Sequence, residues 1–251
     1  MSKDVLSEIR DAIRTVSPRR DECTRRAFNM LPPVDRPRIL DIGCGRGGPT
    51  LELARLSEGE VTGLDIRQCD LDELARRAAE AGLSHRVKTV TCSMFDVGFP
   101  DESFDIIWSE GSIFNIGFER GLREWRRFIK PRCFLVVHEA AWLRPDPPRE
   151  MLAAWKEGMY PGTMTVAECA ALVPSCGYDL LGHFAVPEDF WWHEYFGPLQ
   201  QCIDELRQRY AGDTASLHLL DRQQRNVDLY RKYPEWYGSA FFVMQKRKAP
   251  S

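Results

Sequence analysis

The residues best suited to chemistry stand where apolar runs end. Ile39-Leu40-Asp41-Ile42-Gly43-Cys44-Gly45-Arg46-Gly47-Gly48-Pro49-Thr50 joins such a run to a helix-forming segment through a turn crowded with glycine. Glycines at 43, 45 and 47 let the main chain turn sharply and approach a ligand that a Cβ would hold off, and Pro49 suits the first turn of a helix. Gly43, Gly45 and Gly48 also fit the dinucleotide spacing G-x-G-x-x-G, a weak signal when it stands alone. Asp65 closes Val61-Thr62-Gly63-Leu64-Asp65, where a carboxylate can accept hydrogen bonds from ribose hydroxyls. Further along, Glu110 follows one apolar run, and His138, Glu139 and Trp142 end or follow another. A carboxylate or imidazole so placed can orient an acceptor or take its proton. The bland readings are that Glu110 caps a helix near Asn115 and that His138 is a satisfied core histidine.

These residues need a scaffold, and the order of elements supplies one. Hydrophobic spacing predicts strands over 38–42, 60–65, 87–91, 104–109 and 134–139, with helices over 49–56, 70–82 and 117–129 between them. Lys130-Pro131 is expected to turn the chain before the fifth strand. Strand–helix alternation implies a parallel sheet with right-handed crossovers, with ligands past the carboxyl ends of the strands. Helices are expected over 3–15 and 21–31 before the first strand, and over 149–158 and 165–173 after the fifth. A strand near 179–186, a mostly helical stretch over 190–232 and a last strand over 237–245 complete the chain. The fold class expected is α/β: a Rossmann-like, doubly wound, mostly parallel seven-stranded sheet with helical additions at the N-terminus and before the last strand. It forms one domain, 1–251, comprising a helical cap (1–36), a cofactor-binding core (37–187), a helical insertion (188–235) and the last strand (236–248).

Composition excludes several classes. The 251 residues are 43 % hydrophobic with a formal net charge of −3, so a sizeable core is expected and no broad basic surface for nucleic acid. Arg14, Arg19, Arg20, Arg25 and Arg26 are interrupted by Asp11, Asp21 and Glu22, as on a solvated helix face. No apolar run approaches the roughly 20 residues that span a bilayer, and Met1-Ser2-Lys3-Asp4-Val5 lacks a signal peptide's apolar core. The expectation is therefore a cytoplasmic protein with no membrane and no nucleic acid partner. The eight cysteines are scattered without a C-x-x-C pair, so reduced, packed thiols are expected and no metal.

Asp41 decides between ligands that share a ribose. A carboxylate two residues ahead of the first glycine repels a pyrophosphate and favours an ammonium group, which points to S-adenosylmethionine over a nicotinamide dinucleotide. From about residue 37 to 142 the chain resembles the class I S-adenosylmethionine-dependent methyltransferases. Asp41-Ile42-Gly43-Cys44-Gly45 resembles their first motif, and Leu64-Asp65-Ile66 the acidic end of their second strand. Phe99-Pro100-Asp101-Glu102-Ser103-Phe104-Asp105 and Phe128-Ile129-Lys130-Pro131 resemble the approaches to their fourth and fifth strands. Ser109-Glu110-Gly111-Ser112 stands in place of the N-P-P-Y-type segment of nucleic-acid amino methyltransferases, so the resemblance is to the small-molecule branch, and within it to a bacterial and archaeal subgroup of similar length. It departs from the family at Cys92-Ser93-Met94, where an aspartate often accepts the adenine amino group, and at Pro131-Arg132-Cys133, usually Pro-Gly-Gly.

The resemblance implies methyl transfer from S-adenosylmethionine to a small-molecule acceptor by direct in-line displacement, yielding S-adenosylhomocysteine and requiring no metal. The cofactor residues implied are Asp41, Gly43, Cys44, Gly45, Asp65, Ile66, Ser93, Met94 and Ser109. The candidate catalytic residues are Glu110, Glu139 and His138. Asn115, Trp142, Trp191 and Tyr195 are candidate substrate contacts, the last two in the ring-rich segment Phe190-Trp191-Trp192-His193-Glu194-Tyr195-Phe196. That segment is either a hydrophobic seam or a pocket wall, and beside Glu110, Glu139 and Glu194 it would suit an amine acceptor. The N-terminal helices, with Ser17-Pro18-Arg19 and Thr24, close over the cofactor in the family; a homodimer contact is the other reading. An S-adenosylmethionine-binding sensor or scaffold without turnover, a nicotinamide-dependent oxidoreductase and a thiol-rich enzyme methylating a metalloid or thiol are the alternatives.

Overall fold

A computed structural model describes residues 3–13, 18–157 and 162–248; Ser17 and the last residue of the helix expected over 149–158 lie outside them. The first half alternates as its apolar periodicity requires. Strands β1 (Arg38–Ile42), β2 (Glu60–Asp65), β3 (Val87–Thr91) and β4 (Phe104–Glu110) are interleaved with helices α3 (Gly48–Ser57) and α4 (Gln68–Glu80). Two helices precede them, α1 (Lys3–Ile13) and α2 (Pro18–Phe28). After β4 come α5 (Phe118–Trp125) and β5 (Ile129–Trp142), then α6 (Arg149–Glu157), α7 (Val166–Leu172) and β6 (Tyr178–Ala185). The insertion is a π-helical turn at Trp192–Phe196 leading into α8 (Gly197–Arg209) and α9 (Thr214–Lys232), and β7 (Tyr237–Lys246) closes the chain.

The seven strands form one sheet in the order β3-β2-β1-β4-β5-β7-β6. The first five are parallel, and β7 enters antiparallel between β5 and β6. This is the Rossmann-like, largely parallel architecture expected. Central strands β4 and β5 read as apolar runs because both their faces are covered. One face packs Ile39, Val61, Ile106, Trp108, Val136 and Phe241. The other packs Leu40, Ile42, Ile107, Leu135, Val137 and Phe242. A third cluster, around Trp142, Phe196, Leu199, Tyr230 and Tyr237, holds the insertion.

Two local expectations need correction. Lys130-Pro131 does not end an element, because β5 begins at Ile129, which pairs with Phe104 before the ladder shifts and resumes at Ile106–Phe134. Arg132 takes the left-handed backbone at φ 61°, a conformation that glycine adopts without strain, and its carbonyl accepts Gln245 Nε2 at 2.7 Å. The helix expected over 117–129 stops at Trp125 and tightens into a 3₁₀ turn over Arg126–Phe128. The pairing of Ile129 into the sheet sets that limit.

Helix α2 bridges sheet and insertion through side chains. Arg25 binds Glu52 of α3 at 2.5 Å, while Arg20 binds Glu194 at 3.0 Å and Arg19 binds Asp189 at 2.8 Å. Helix α1 lies against α8, where Glu8 receives Arg209 and the Tyr210 hydroxyl. No helix among the described residues is long and apolar enough to cross a membrane.

Candidate active site at the carboxyl ends of the strands

The glycine turn is tied down by its own main chain. Gly43 and Cys44 both donate to the Leu64 carbonyl, at 2.7 and 3.1 Å, and Gly47 donates to Cys44 at 2.9 Å. Gly43 needs its glycine twice, since φ is 74° and a Cβ there would stand 2.4 Å from Ser112 Cβ. At Gly45, with φ of 51°, a Cβ would meet nothing within 4 Å, so the turn faces open space there. The Asp65 carboxylate accepts Gly45 N through one oxygen and Arg67 N through the other, both at 2.9 Å. A carboxylate has further lone pairs, so Asp65 can brace the loop and still accept from a ligand.

Asp41 is only 1 % exposed and accepts Thr50 Oγ1 at 2.6 Å. Burial raises its pKa to about 7, partly offset by that hydrogen bond. A cation delivered beside it would restore the charged form. Ser109 is wholly buried and sits within 2.7 Å of Ser112 Oγ, which itself donates to the Ile42 carbonyl at 2.7 Å. Ser109 thus acts on the cradle through Ser112. Ser93 Oγ accepts Phe95 N at 3.3 Å, and the Met94 methyl lies 3.5 Å from the Cβ position over Gly43.

These residues fit S-adenosylmethionine on structural grounds. The turn opens at Gly45, the desolvated carboxylate of Asp41 faces no cation among the described residues, and Ile66, beside Asp65, is 71 % exposed although large and apolar. Asp65 and Ile66 place a carboxylate acceptor next to an exposed apolar side chain. Among the described residues no group of three or more His, Cys, Asp or Glu could hold a metal ion.

The three candidate proton-transfer residues do not converge. Glu110 and His138 are register partners on neighbouring strands and share the face covered by α2. Glu139 points to the opposite face, with Cys169 among its electrostatic neighbours. Glu110 is half-buried, and Oε1 accepts both Trp108 Nε1 at 2.7 Å and Thr24 Oγ1 at 2.9 Å. Burial raises its pKa to about 8 against those two bonds. Glu139 is 6 % exposed; Oε1 accepts Ala140 N at 2.8 Å, but Oε2 is buried with no partner, and burial raises this carboxyl to about 8 as well. Burial, helped by the Arg20 charge, drops His138 to about 3, so its imidazole is neutral near pH 7.

The ring-rich segment divides its labour. Phe196 stacks on Tyr230 at 4.3 Å and meets Tyr237 edge-on at 5.0 Å, forming the seam under the insertion. Trp191 instead lies over His138, with centroids 6.4 Å apart, and donates Nε1 to Ser239 Oγ at 3.2 Å. Tyr195 is half-buried and meets Trp191 edge-on at 6.0 Å. The other two substrate candidates are engaged by their own surroundings: Asn115 donates to the Ser112 carbonyl at 2.9 Å, and Trp142 stacks on Trp155 at 4.0 Å. Glu194 is tied to Arg20, so it offers no free charge for an amine.

Sequence reasoning gave no role to Ser112, Ser239 and Glu52, and it read Arg20 as part of a solvated helix face, whereas Arg20 pairs with Glu194. The one hint for Ser239 was a small polar residue within the aromatic run Tyr237–Gln245. All eight cysteines are free thiols; burial raises Cys23 to about 11 and Cys169 to about 12, which leaves them protonated packing residues. A depression of about 370 Å³ lined by Arg36, Arg38 and Arg86 lies at the amino ends of β1–β3, away from these groups.

Residues 39–132 match the family described as methyltransferase domain. That match lies within a sheet whose order is the Rossmann-like one of class I methyltransferases. The chain is similar to sterol 24-C-methyltransferase erg-4 of Neurospora crassa, 30 % identical over 58 % of this chain and 40 % of that protein. It is also similar to 27-O-demethylrifamycin SV methyltransferase of Amycolatopsis mediterranei, 31 % identical over 50 % of this chain and 49 % of that one. The chain thus spans about half the length, or less, of these curated relatives. In fold it superposes on a methyltransferase of Thiobacillus denitrificans solved with S-adenosyl-L-homocysteine, with a TM-score of 0.80, 20 % identity, and 97 % and 98 % of the two chains covered.

Proposed function

We propose that this protein transfers a methyl group from S-adenosylmethionine to a small-molecule acceptor by in-line displacement, with Glu110 receiving the acceptor's proton. The observation that carries this reading is the placement of a desolvated carboxyl, Glu110, at the carboxyl end of β4, on the sheet face shared by Asp41 and covered by α2. Asp41, Gly43, Cys44, Gly45, Asp65, Ile66, Ser93 and Met94 hold the cofactor in this proposal, and Ser109 supports Gly43 from beneath. The cofactor, when bound, supplies a methyl group on a sulfonium, whose departure needs no metal. The protein must align the acceptor, exclude water and manage one proton.

Thr24 and Trp108 both bond Glu110 Oε1, which leaves Oε2 as the oxygen that exchanges a proton. Trp191 and Tyr195 wall the acceptor side and His138 faces them, whereas Glu139 contributes through the position of β5. The names of the relatives, a sterol and a rifamycin methyltransferase, support a small-molecule acceptor. Membership of a bacterial and archaeal subgroup and a cytoplasmic setting belong to the same proposal.

Incubation with labelled S-adenosylmethionine and fractionated cell extract tests it. Label is expected in a small metabolite fraction. Binding of S-adenosylhomocysteine with no label moved into any fraction would leave a sensor or scaffold instead.

A further inference from the structure

His138 is one residue whose bonding is incomplete in a way that points outward. Its ring is clamped, with Phe241 stacked at 4.6 Å and 13°, Trp191 at 6.4 Å and 24°, and Phe190 edge-on at 6.2 Å. Phe241 in turn stacks on Phe184 at 5.1 Å, so the clamp is anchored in the core. Nε2 lies 2.6 Å from Ser239 Oγ. Ser239 Oγ also accepts from Trp191 Nε1, an obligate donor. Among the described residues its hydroxyl proton has no other hydrogen-bond acceptor, which assigns it to the His138 Nε2 lone pair. The neutral imidazole then carries its proton on Nδ1.

Among the described residues that Nδ1–H has no protein acceptor, and the buried polar atoms without a partner are Arg86 Nε and Glu139 Oε2, so Nδ1 is not one of the enclosed atoms. A side chain 93 % buried, fixed on both ring faces and at Nε2, so presents one donor to accessible space beside its register partner Glu110. The Arg20 guanidinium acts on the same ring and adds positive potential.

We infer that His138 Nδ1–H is a specificity-determining donor that holds an oxygen of the acceptor, a carbonyl or carboxylate, and that the site selects against ammonium-bearing acceptors. This rests on the methyltransferase reading for the word acceptor, while the donor itself rests on the hydrogen-bond network alone. The imidazole is not the base in this assignment: its remaining lone pair is occupied by Ser239. An oxygen held by Nδ1–H lies across from Glu110, and the two groups divide positioning from proton transfer.

Two substitutions separate this from a structural histidine. His138→Gln can keep a bond to Ser239 but places nothing at Nδ1, whereas His138→Asn puts an amide N–H near Nδ1 and gives up Ser239. With the protein saturated with S-adenosylhomocysteine, titration calorimetry with benzoate, benzamide and benzylammonium reads the subsite. Benzoate and benzamide are expected to bind the unchanged protein and benzylammonium to bind at least about fivefold more weakly. His138→Gln should weaken the two oxygen probes about fivefold to tenfold, and His138→Asn should recover most of that loss. Nitrogen NMR of the His138 ring should show the Nδ1–H form and a shift of that signal on adding benzoate. The inference is overturned if His138→Gln binds the oxygen probes as the unchanged protein does, if His138→Asn is the weaker variant, or if benzylammonium binds best. S-adenosylhomocysteine affinity is measured in all three proteins and the probe titrations are repeated without it: absence of that affinity in the unchanged protein would remove the methyltransferase reading, while the probe order without it still tests the donor.

Discussion

The glycine cradle and the proposed acceptor end lie on one sheet but are assembled over different distances along the chain. The polar contacts of the cradle's two carboxylates join residues 9 and 20 positions apart, Thr50 to Asp41 and Gly45 to Asp65, with one longer brace, Ser112 to the Ile42 carbonyl, 70 apart. Those at the acceptor end join residues 86, 101 and 174 apart: Thr24 to Glu110, His138 to Ser239, and Arg20 to Glu194. A local site can be written as a contiguous motif, because short-range backbone geometry places its groups. A non-local one exists only once α2, β7 and the insertion have docked, so its specificity depends on packing across three clusters.

The largest expected effect falls at the acceptor end. Glu110→Gln keeps the Oε1 acceptor for Thr24 and Trp108 but cannot take a proton, so turnover should fall by about 10²-fold or more with S-adenosylhomocysteine affinity nearly unchanged. Glu139→Gln, on the other face of β5, should leave turnover within about threefold. Equal losses in both would erase the distinction between the two faces. Since Glu110 must be ionised to accept a proton and titrates at about 8, kcat/KM should rise with pH through that value.

The cradle is next. Gly43→Ala combines a left-handed backbone with a contact to Ser112, and should cost about 2 kcal/mol in stability and about 30-fold in S-adenosylhomocysteine affinity. Affinity unaffected by this change would mean that the ligand lies elsewhere. A smaller effect is electrostatic. Asp41 titrates at about 7 when no cation faces it, and an ammonium favours its charged form, so affinity for S-adenosylhomocysteine should weaken about tenfold from pH 8 to pH 6. Asp41→Asn should flatten that profile.

The smallest effect concerns stability. Glu139 has a folded pKa of about 8 against an ordinary 4.5, so its contribution is fully present below about 4.5 and is lost as pH rises through 8. Glu110 shares the sign. Thermal melting should therefore drop between pH 6 and pH 8.5, and Glu139→Gln should reduce that drop by a few degrees, about what one to two kcal/mol gives in a domain of this size. A drop of unchanged size in the variant would show that Glu139 Oε2 is better solvated than its surroundings imply.

Much of this molecule was legible before any coordinates, for identifiable reasons. The periodicity of 38–110 predicts β1 to β4 closely, because parallel strands covered on both faces must be continuous apolar runs. The order Asp41, Gly43, Gly45, Asp65 implies the cradle, because glycine φ and carboxylate charge are properties of single residues. Alternation along β5 could in principle have separated His138 from Glu139, since neighbours in a strand face opposite ways. Proximity to the strand end obscured it. Lys130-Pro131 misled because a proline after a helical stretch reads as a turn, whereas pairing at Ile129 before it and at Phe134 after it carries the strand through.

The sequence alone determined the architecture, the cradle and the class of ligand it suits, since these follow from hydrophobic period, glycine geometry and the sign of charge, all encoded within short windows. Only the tertiary structure decided which groups meet at the acceptor end. Whether a carboxyl is a buried acid or a solvated anion, and which imidazole nitrogen bears the proton, depends on desolvation and on partners such as Thr24, Trp191 and Ser239. Those partners are brought together by the packing of distant segments, and no window of the chain contains them.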